Sequence, residues 1–259
     1  MYEKLQFDYA RDSLGYLIKA FDLKELYLPY YLCDVIRHRV VKELCRPIYY
    51  HIDDNFYPAE EFDKEKFILY PNYFGICEDN VNKLETIYPK LIVDNAHAYY
   101  IPPQGFACFN SAKKFLPVEK GSALYIKKEK KKGGKTFVAQ KFCPRRDNDI
   151  NFYPQIRREE FKLINKKYKK TNNIKFKDIP KSPFCYPYLA STEEEADRVA
   201  KELTAEGKTI YRYWNPLPKS YNEYKFYSRL VPIPLAPNLE VANNIRQDNL
   251  LHQTDAQGT

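Results

Sequence analysis

KLIVDNAHA, residues 90–98, places three consecutive apolar side chains, Leu91 to Val93, directly before Asp94. A continuous apolar run of this kind is typical of a parallel strand that is covered on both faces. In such sheets ligands bind at the carboxyl ends of the strands. Asp94 is therefore either a desolvated carboxylate that needs a partner or an ordinary capping or turn residue at a strand end.

On both sides of this stretch, short apolar runs alternate with helical patterns. This alternation indicates βαβ units, and we predict an α/β fold with a mostly parallel sheet and helices on both faces. The predicted strands of this part are 25–31, 47–52, 66–70, 90–94, 106–109 and 122–128, and its helices are 33–43 and 78–87.

The pattern changes near Cys143, where a small α+β C-terminal subdomain is indicated. The predicted elements from this point on are helices at 156–168 and 192–206, an extended stretch at 180–188, and strands at 210–214 and 230–233. We divide the chain into a large α/β domain (1–143), a connecting segment with a helix (144–179), the small subdomain (180–237) and a tail (238–259) that we expect to be frayed.

The composition limits the possible classes of protein. A chain of 259 residues that is 44% hydrophobic can bury one sizeable core. We find neither an apolar run long enough to span a bilayer nor a signal-peptide core near the N-terminus, so we expect a cytoplasmic protein without a membrane partner. The six cysteines lack any C-x-x-C spacing, so they predict free thiols and no metal site.

The formal net charge of +8 comes partly from two lysine runs, at 127–135 and 166–170. A basic run can attract nucleic acid, an anionic membrane or a phosphorylated substrate, but it is more often a solvated loop or helix face. No helix-turn-helix, zinc or RNA-binding motif accompanies the runs, so we do not expect a nucleic-acid partner. Gly133 and Gly134 favour a hairpin turn within the first run.

An ordered set of side chains follows Asp94. His97 lies three residues later, and CFNSAKKF (108–115) places Ser111 three residues before Lys114. This order, an acid, then a ring-bearing side chain, then a serine and a lysine, suits the binding of pyridoxal phosphate. Its ring nitrogen needs a carboxylate to stay protonated, its aldehyde needs an amine, and its phosphate needs hydroxyls or free backbone N–H groups.

These motifs resemble those of the sugar-nucleotide aminotransferases, the DegT/StrS group of fold-type I pyridoxal-phosphate enzymes, and the chain looks like a shortened member. The similar segments run in family order along the chain: YARDSL (9–14), LPYYLC (28–33), IYYHIDDNFYP (48–58), LYPNYFG (69–75), IVDNAHA (92–98), CFNSAKKF (108–115), PFCYPYL (183–189) and YWNPLP (213–218).

The resemblance implies a role for each matching residue. Asp94 would pair with the ring nitrogen, His97 would touch the ring hydroxyl, and Ser111 would contact the phosphate. The opening helix would meet the phosphate at Arg11, Asp12 and Ser13. Tyr31 would lie near the ring, although Cys33 occupies the position of the family's stacking aromatic.

The reactive lysine is ambiguous in the sequence. A gapless match to the larger family favours Lys113, whereas the Ser-x-x-Lys spacing favours Lys114, which we prefer. The remaining alternative is that both are ordinary surface lysines after an apolar strand.

We therefore expect a pyridoxal-phosphate-dependent aminotransferase that moves an amino group from an amino-acid donor to a nucleotide-linked keto-sugar in polysaccharide or glycan biosynthesis. The resemblance also implies a homodimer, because such sites borrow residues from a partner subunit. The short chain and the aromatic missing at Cys33 favour an alternative, a non-catalytic relative that binds a sugar nucleotide or a partner subunit.

Overall fold

A computed structural model describes residues 1–128, 152–214 and 217–235 of the chain. This part contains nine strands and seven helices. The strands are β1 (Tyr2–Phe7), β2 (Glu25–Pro29), β3 (Arg46–Tyr50), β4 (Ile68–Pro71), β5 (Leu91–Asn95), β6 (Ala107–Asn110), β7 (Ser122–Lys127), β8 (Cys185–Leu189) and β9 (Leu230–Pro234). The helices are α1 (Ala10–Ala20), α2 (Asp34–Ile36), α3 (Lys42–Leu44), α4 (Glu78–Ile87), α5 (Phe152–Tyr168), α6 (Glu193–Ala205) and α7 (Tyr224–Ser228), with a π-helical turn, Arg37–Val41, between α2 and α3.

The main sheet has seven strands in the order β1-β7-β6-β5-β4-β2-β3. The five strands from β6 to β3 are parallel. Strand β7 runs antiparallel to β6, and β1 runs antiparallel to β7 at the edge. The predicted α/β fold with a mostly parallel sheet is confirmed.

Both faces of this sheet are covered, which explains the continuous apolar run of β5. Ile92 belongs to the hydrophobic cluster that contains Leu17 of α1. Its neighbours Leu91 and Val93 belong to the opposite cluster, which contains Val81 of α4. Because successive side chains of a strand point to opposite faces, a strand between two helical layers must be apolar at every position.

The second sheet pairs β8 with β9 in antiparallel register. Helix α6 packs Val199 and Leu203 into the cluster beneath it. The helix begins at Thr192, whose hydroxyl accepts a hydrogen bond from the Glu195 N–H at 3.1 Å, as an N-cap residue does. The expected small α+β unit is therefore present, whereas the proposed boundaries between the four parts of the chain remain a prediction.

Two local predictions differ from the structure. Residues 210–214 form no strand; Tyr213 instead packs against His97, and Trp214 packs against Tyr31. Strand β1 was not predicted, because only Leu5 of its six residues is buried. The glycine hairpin at 133–134 and the tail from 238 lie outside the described residues. Within the described ranges, no helix has the length and apolar character needed to cross a bilayer.

Candidate active site

The candidate site lies at the carboxyl edge of the parallel strands. Asp94, near the end of β5, is in register with Pro71 on β4 and Phe109 on β6. Ser111 directly follows β6, and Lys114 ends the short 3-10 turn that comes next. Because parallel strands end at a common edge, residues from distant parts of the sequence meet here.

Asp94 is a half-buried carboxylate with little support from the chain. Its Oδ1 accepts a hydrogen bond from the Ala96 N–H at 2.8 Å, which is the turn interaction considered from the sequence. No side chain among the described residues donates a hydrogen bond to it. Burial raises the pKa of Asp94, while the Lys114 ammonium and the Ala96 N–H oppose that rise. The carboxylate thus keeps accepting capacity beyond this one backbone hydrogen bond.

The two candidate lysines point in different directions. Lys113 is exposed, with its Nζ 5.4 Å from the centre of the Tyr9 ring. Lys114 is half-buried, with its Nζ 5.5 Å from the centre of the Phe184 ring. Burial lowers the pKa of Lys114, and the charge of Asp94 partly restores it. Of the two lysines, Lys114 is therefore the one whose charge interacts with that of Asp94.

His97 is buried in an aromatic stack. Its ring lies 4.4 Å from the Phe184 ring with an interplanar angle of 11°, and 5.8 Å from the Trp214 ring at 14°. Burial, followed by the positive charge of Lys114, holds the pKa of His97 well below its usual value. The imidazole is therefore neutral near pH 7, and its ring is stacked with two aromatic rings.

The three predicted residues of α1 lie at its N-terminus. Ser13 is buried, and its hydroxyl shares a 2.8 Å hydrogen bond with the Ser122 hydroxyl. The Asp12 carboxylate accepts a hydrogen bond from the Tyr9 N–H, so it caps its own helix. The Arg11 guanidinium lies 4.1 Å from the centre of the Tyr9 ring, the same ring that Lys113 approaches. This end of α1 thus carries two cations as well as the positive end of the helix dipole.

Tyr31 and Ser111 complete the predicted set. Tyr31 is buried, donates a hydrogen bond from its hydroxyl to the Tyr213 carbonyl at 2.6 Å, and meets the Trp214 ring edge-on. Ser111 is buried beside Lys114, whose N–H it accepts at 3.4 Å through its backbone oxygen. The roles of these side chains remain predictions.

The described residues divide into two neighbouring groups. Asp94, His97 and Lys114 influence one another electrostatically, without an ion pair between Asp94 and Lys114. Arg11, Asp12 and Ser13 lie apart from these three and are linked to them by Lys113, which precedes Lys114 and reaches Tyr9. No cluster of three or more potential metal ligands exists in the ranges that the structure describes.

The residues present fit pyridoxal phosphate. An Asp94 carboxylate with spare accepting capacity suits a protonated ring nitrogen, and a desolvated Lys114 suits an aldehyde partner. The cations and first-turn N–H groups at the start of α1 suit a phosphate. Asp12 is the exception, but its carboxylate is engaged with the backbone of its own helix.

Sequence reasoning missed several residues around this site. Phe184 and Trp214 form the stack on His97, and Arg157 of α5 approaches the Lys114 carbonyl. Phe184 and Trp214 lie in segments that resembled the family, but nothing in the segments marks them as partners of His97. Arg157 lies in a helix that looked like a solvated basic surface, so its burial could be found only from the fold.

Comparison with solved structures shows the fold. The chain is similar to PseC of Helicobacter pylori, an aminotransferase of pseudoaminic acid biosynthesis, with a TM-score of 0.65, 15% identity, and coverage of 96% of this chain and 86% of that one. It is also similar to a putative sugar aminotransferase from Streptococcus pneumoniae, Spr1654 in its PLP form, with a TM-score of 0.64, 15% identity, and coverage of 94% of this chain and 85% of that one. A third similar structure is a DegT DnrJ EryC1 StrS aminotransferase from Brucella abortus, with a TM-score of 0.67, 14% identity, and coverage of 99% of this chain and 86% of that one.

No protein-family profile and no curated protein sequence matches the chain. At these low identities the likeness concerns architecture, and the expected fold of the sugar aminotransferases is confirmed.

Proposed function

We propose that the protein is a pyridoxal-phosphate-dependent aminotransferase that acts on a nucleotide-linked keto-sugar. The observation that carries this proposal is the electrostatic interaction between Asp94 and Lys114. Both groups are half-buried at the carboxyl edge of a sheet whose fold is that of sugar aminotransferases. In solved neighbours of this fold, PLP-bound and PMP-bound forms occur.

When bound, the cofactor supplies an electron sink that makes a proton on the amino-bearing carbon removable. Asp94 would hold the ring nitrogen in its protonated state. Lys114 would attach to the aldehyde carbon and, once displaced, carry a proton at its Nζ. A lysine whose pKa is lowered by burial is suited to both tasks.

The remaining residues would position these two groups. His97 is neutral and stacked with Phe184 and Trp214, so it can hold a hydrogen bond to the ring hydroxyl without adding charge. Arg11 and the backbone at the start of α1 would bind the phosphate, with Ser13 and Ser111 as hydroxyl donors. Tyr31 supports the wall of the site through its contact with Trp214.

The first test is cofactor capture. Purified protein is incubated with pyridoxal phosphate, reduced with borohydride, digested and mapped for the modified lysine. We expect an absorbance band near the visible edge and a single label on Lys114, which Lys114→Ala abolishes and the matched variant Lys113→Ala retains. A protein that takes up no cofactor would remove the proposal, and a label on Lys113 would reassign the lysine.

The second test is transfer of the amino group. Loaded protein is mixed with glutamate and then with a panel of nucleotide-linked keto-sugars, and the spectrum and products are followed. Loss of the visible band with glutamate and appearance of an amino-sugar nucleotide are expected. Cofactor uptake without either change would favour the non-catalytic alternative, in which the chain only binds a sugar nucleotide or a partner.

We also propose that the protein works in the cytoplasm as a homodimer, in polysaccharide or glycan biosynthesis. The five cysteines in the described ranges are free thiols, which suits a reducing compartment. One structural neighbour belongs to pseudoaminic acid biosynthesis, a pathway of this chemical kind. Sedimentation equilibrium of the loaded protein tests the dimer, and a monomer at micromolar concentration would contradict it.

A further inference from the structure

The outer side of helix α5 carries lysines that repeat at helical spacing. Lys162, Lys166 and Lys170 lie four residues apart, so they form a row along one side of the helix, and all three are exposed. The Asn172 N–H still bonds to the Tyr168 carbonyl at 2.9 Å, so the helical course continues past Lys170. At about 1.5 Å per residue the row is about 12 Å long. We call these three residues the lysine row.

The inner side of α5 is apolar, which fixes the direction that the lysine row faces. Phe161 is fully buried in the cluster beneath the β8–β9 sheet, and Ile164 and Tyr168 pack against the same cluster. Because a helix that buries one side exposes the other, the row faces outward from the small α+β unit.

The charges of the lysine row are incompletely balanced. Lys162 lies 3.6 Å from the Glu159 carboxylate, and both side chains are well exposed, so this ion pair is weak. Among the described residues, no carboxylate lies within ion-pairing distance of Lys166 or Lys170. Like charges four positions apart on a helix repel each other. An anionic surface laid against the row would relieve this repulsion.

The helix dipole explains only part of the arrangement. Lys166 and Lys167 lie in the last turn of α5, where the negative end of the dipole stabilises a cation. That effect falls off within one turn, so it does not account for Lys162. Lys167 also lies to one side of the row, where it approaches Glu206 at 3.7 Å.

An exposed leucine lies beside the lysine row. Leu163 directly follows Lys162 and is 68% exposed, which makes it the most exposed large apolar residue in the described ranges apart from Met1. A single exposed leucine is common on protein surfaces. A leucine among lysines on one helix face is, in addition, typical of helices that lie on a membrane, where the lysine stems follow the apolar boundary and the ammonium groups reach the headgroups.

The composition of this face favours a membrane over nucleic acid. Proteins that bind single strands stack bases on aromatic rings, and readers of duplex grooves rely on arginine and amide side chains. The stretch 162–170, KLINKKYKK, contains no arginine, and its one aromatic residue, Tyr168, packs against the cluster on the inner side. Lysine is a point charge that suits the headgroups of an anionic lipid layer.

We propose that the lysine row and Leu163 form a docking surface for a membrane that contains anionic lipids. The lysines would lie against the headgroups, and Leu163 would enter the boundary of the acyl region. This inference goes beyond the proposed function and does not rest on it. Adsorption to a membrane surface needs no spanning helix, but it departs from our expectation from the sequence that the protein has no membrane partner.

Docking in this way would leave the candidate active site accessible. Arg157 and Lys166 are nine residues apart, about two and a half turns, so they point to opposite sides of α5. Arg157 points toward the candidate site, where it approaches the Lys114 carbonyl. The width of the helix, about 10 Å, would therefore separate the membrane surface from that site.

Vesicle binding of the full chain tests the proposal. Flotation is measured with vesicles of an equal mixture of phosphatidylcholine and phosphatidylglycerol, and with vesicles of phosphatidylcholine alone. We expect the protein to float with the anionic vesicles at low salt, to be released as the salt concentration rises, and to ignore the neutral vesicles.

Two variants test the residues of the surface. The triple variant Lys162→Gln, Lys166→Gln, Lys170→Gln should weaken binding to the anionic vesicles by about a hundredfold, at about fivefold for each lysine near the membrane surface. Leu163→Gln should weaken it by about threefold to tenfold, because it removes the apolar contact and keeps the charges.

A matched control removes three charges from another surface. Lys19, Lys42 and Lys64 are exposed lysines of the large α/β unit, and their replacement by glutamine changes the net charge equally. This control should stay within about threefold of the parent protein, since only overall attraction is altered. Equal weakening in the two triple variants would overturn the lysine row as the contact.

The remaining outcomes also decide the proposal. Absence of binding to the anionic vesicles, or equal binding to the neutral ones, would overturn it. A labelled oligonucleotide is titrated by fluorescence anisotropy, and binding that depends on the lysine row without any vesicle binding would assign the surface to nucleic acid and overturn the membrane. If the triple variant fails to fold, the salt dependence of the parent protein and the Leu163→Gln variant decide the matter. Cofactor capture is measured on the same preparations, so that capture without vesicle binding overturns this inference alone.

Discussion

The backbone at Gly75 lies very close to the backbone of Ser182 and of His97. Replacement of this glycine by alanine is therefore a sensitive test of the fold around the candidate site. The residue follows β4 and has a φ of +71°, in the left-handed region. A Cβ at this position would lie 2.1 Å from the Ser182 carbonyl oxygen and 2.4 Å from the His97 carbonyl oxygen. Both are backbone atoms, so no side-chain rotation can relieve the contact.

The expected loss has two parts. Alanine in the left-handed region costs about 1 kcal/mol. Displacing backbone in a packed region adds roughly 1–3 kcal/mol. We therefore expect Gly75→Ala to lower the free energy of unfolding by about 3 kcal/mol, which corresponds to roughly 6–12 °C in Tm for a chain of this size.

Gly207 offers a control that separates the two parts. It lies just after α6 with a φ of +83°, and a Cβ there would meet nothing within 4 Å. Gly207→Ala should therefore cost only the conformational part, about 1 kcal/mol or roughly 2–4 °C.

Urea and thermal unfolding of both variants, followed by circular dichroism and by Trp214 fluorescence, measure the difference. Because Trp214 stacks on His97, a displaced His97 carbonyl should also shift the native emission in Gly75→Ala but not in Gly207→Ala. Equal losses in the two variants would refute the close approach of Ser182 and His97 to Gly75.

Two further perturbations test the electrostatics. Glu223 is buried, accepts from Ile52 N–H at 2.7 Å and pairs with His51 Nδ1 at 3.1 Å. Glu223→Ala should therefore lower the free energy of unfolding, measured in urea, by about 3 kcal/mol. Replacement of the exposed Glu202 by alanine should lower it by less than about 0.5 kcal/mol. Similar losses in the two variants would contradict the buried pair of Glu223 and His51. Burial lowers the pKa of Lys114. The reaction of its amine with an amine-specific reagent should therefore reach half its maximum rate at a lower pH than the reaction of an ordinary lysine, and peptide mapping of the modified protein measures this midpoint. Asp94→Asn should move this midpoint lower still, since the Asp94 charge favours the protonated amine, and an upward shift would show that the two groups do not face each other.

The parallel core of the sheet could be predicted because its strands carry their own pattern. Strand β5 is apolar at each of its first three positions, and the two-sided burial that this pattern predicts is observed. Strand β1 has the sequence YEKLQF, with one buried side chain, because it lies at the edge of the sheet. An edge strand that buries so little leaves no clear pattern in its sequence.

Residues 210–214 were predicted as a strand but form none. Their aromatic content predicted a strand, but no neighbouring strand accepts them, and Tyr213 and Trp214 pack instead around His97. Aromatic residues favour a half-buried surface in general, and a sheet is only one such surface.

Parts of the fold and of the candidate site depend on contacts between residues that are far apart in the sequence, which no local pattern contains. His51 pairs with Glu223, 172 positions away. Arg157 contacts the carbonyl of Lys114 across 43 positions. The order of Asp94, His97, Ser111 and Lys114 could be recognised because these residues lie close together in sequence, at or just after the ends of two adjacent strands.

The pairing of β1 with β7 has a consequence for how the chain is made. Tyr2 lies opposite Lys127, and Phe7 lies opposite Ser122, so the first strand has no hydrogen-bonding partner until more than a hundred further residues have left the ribosome. During that interval β1 remains unpaired. Its later pairing with β7 joins residues that are far apart in the sequence, and such long-range contacts form slowly during folding.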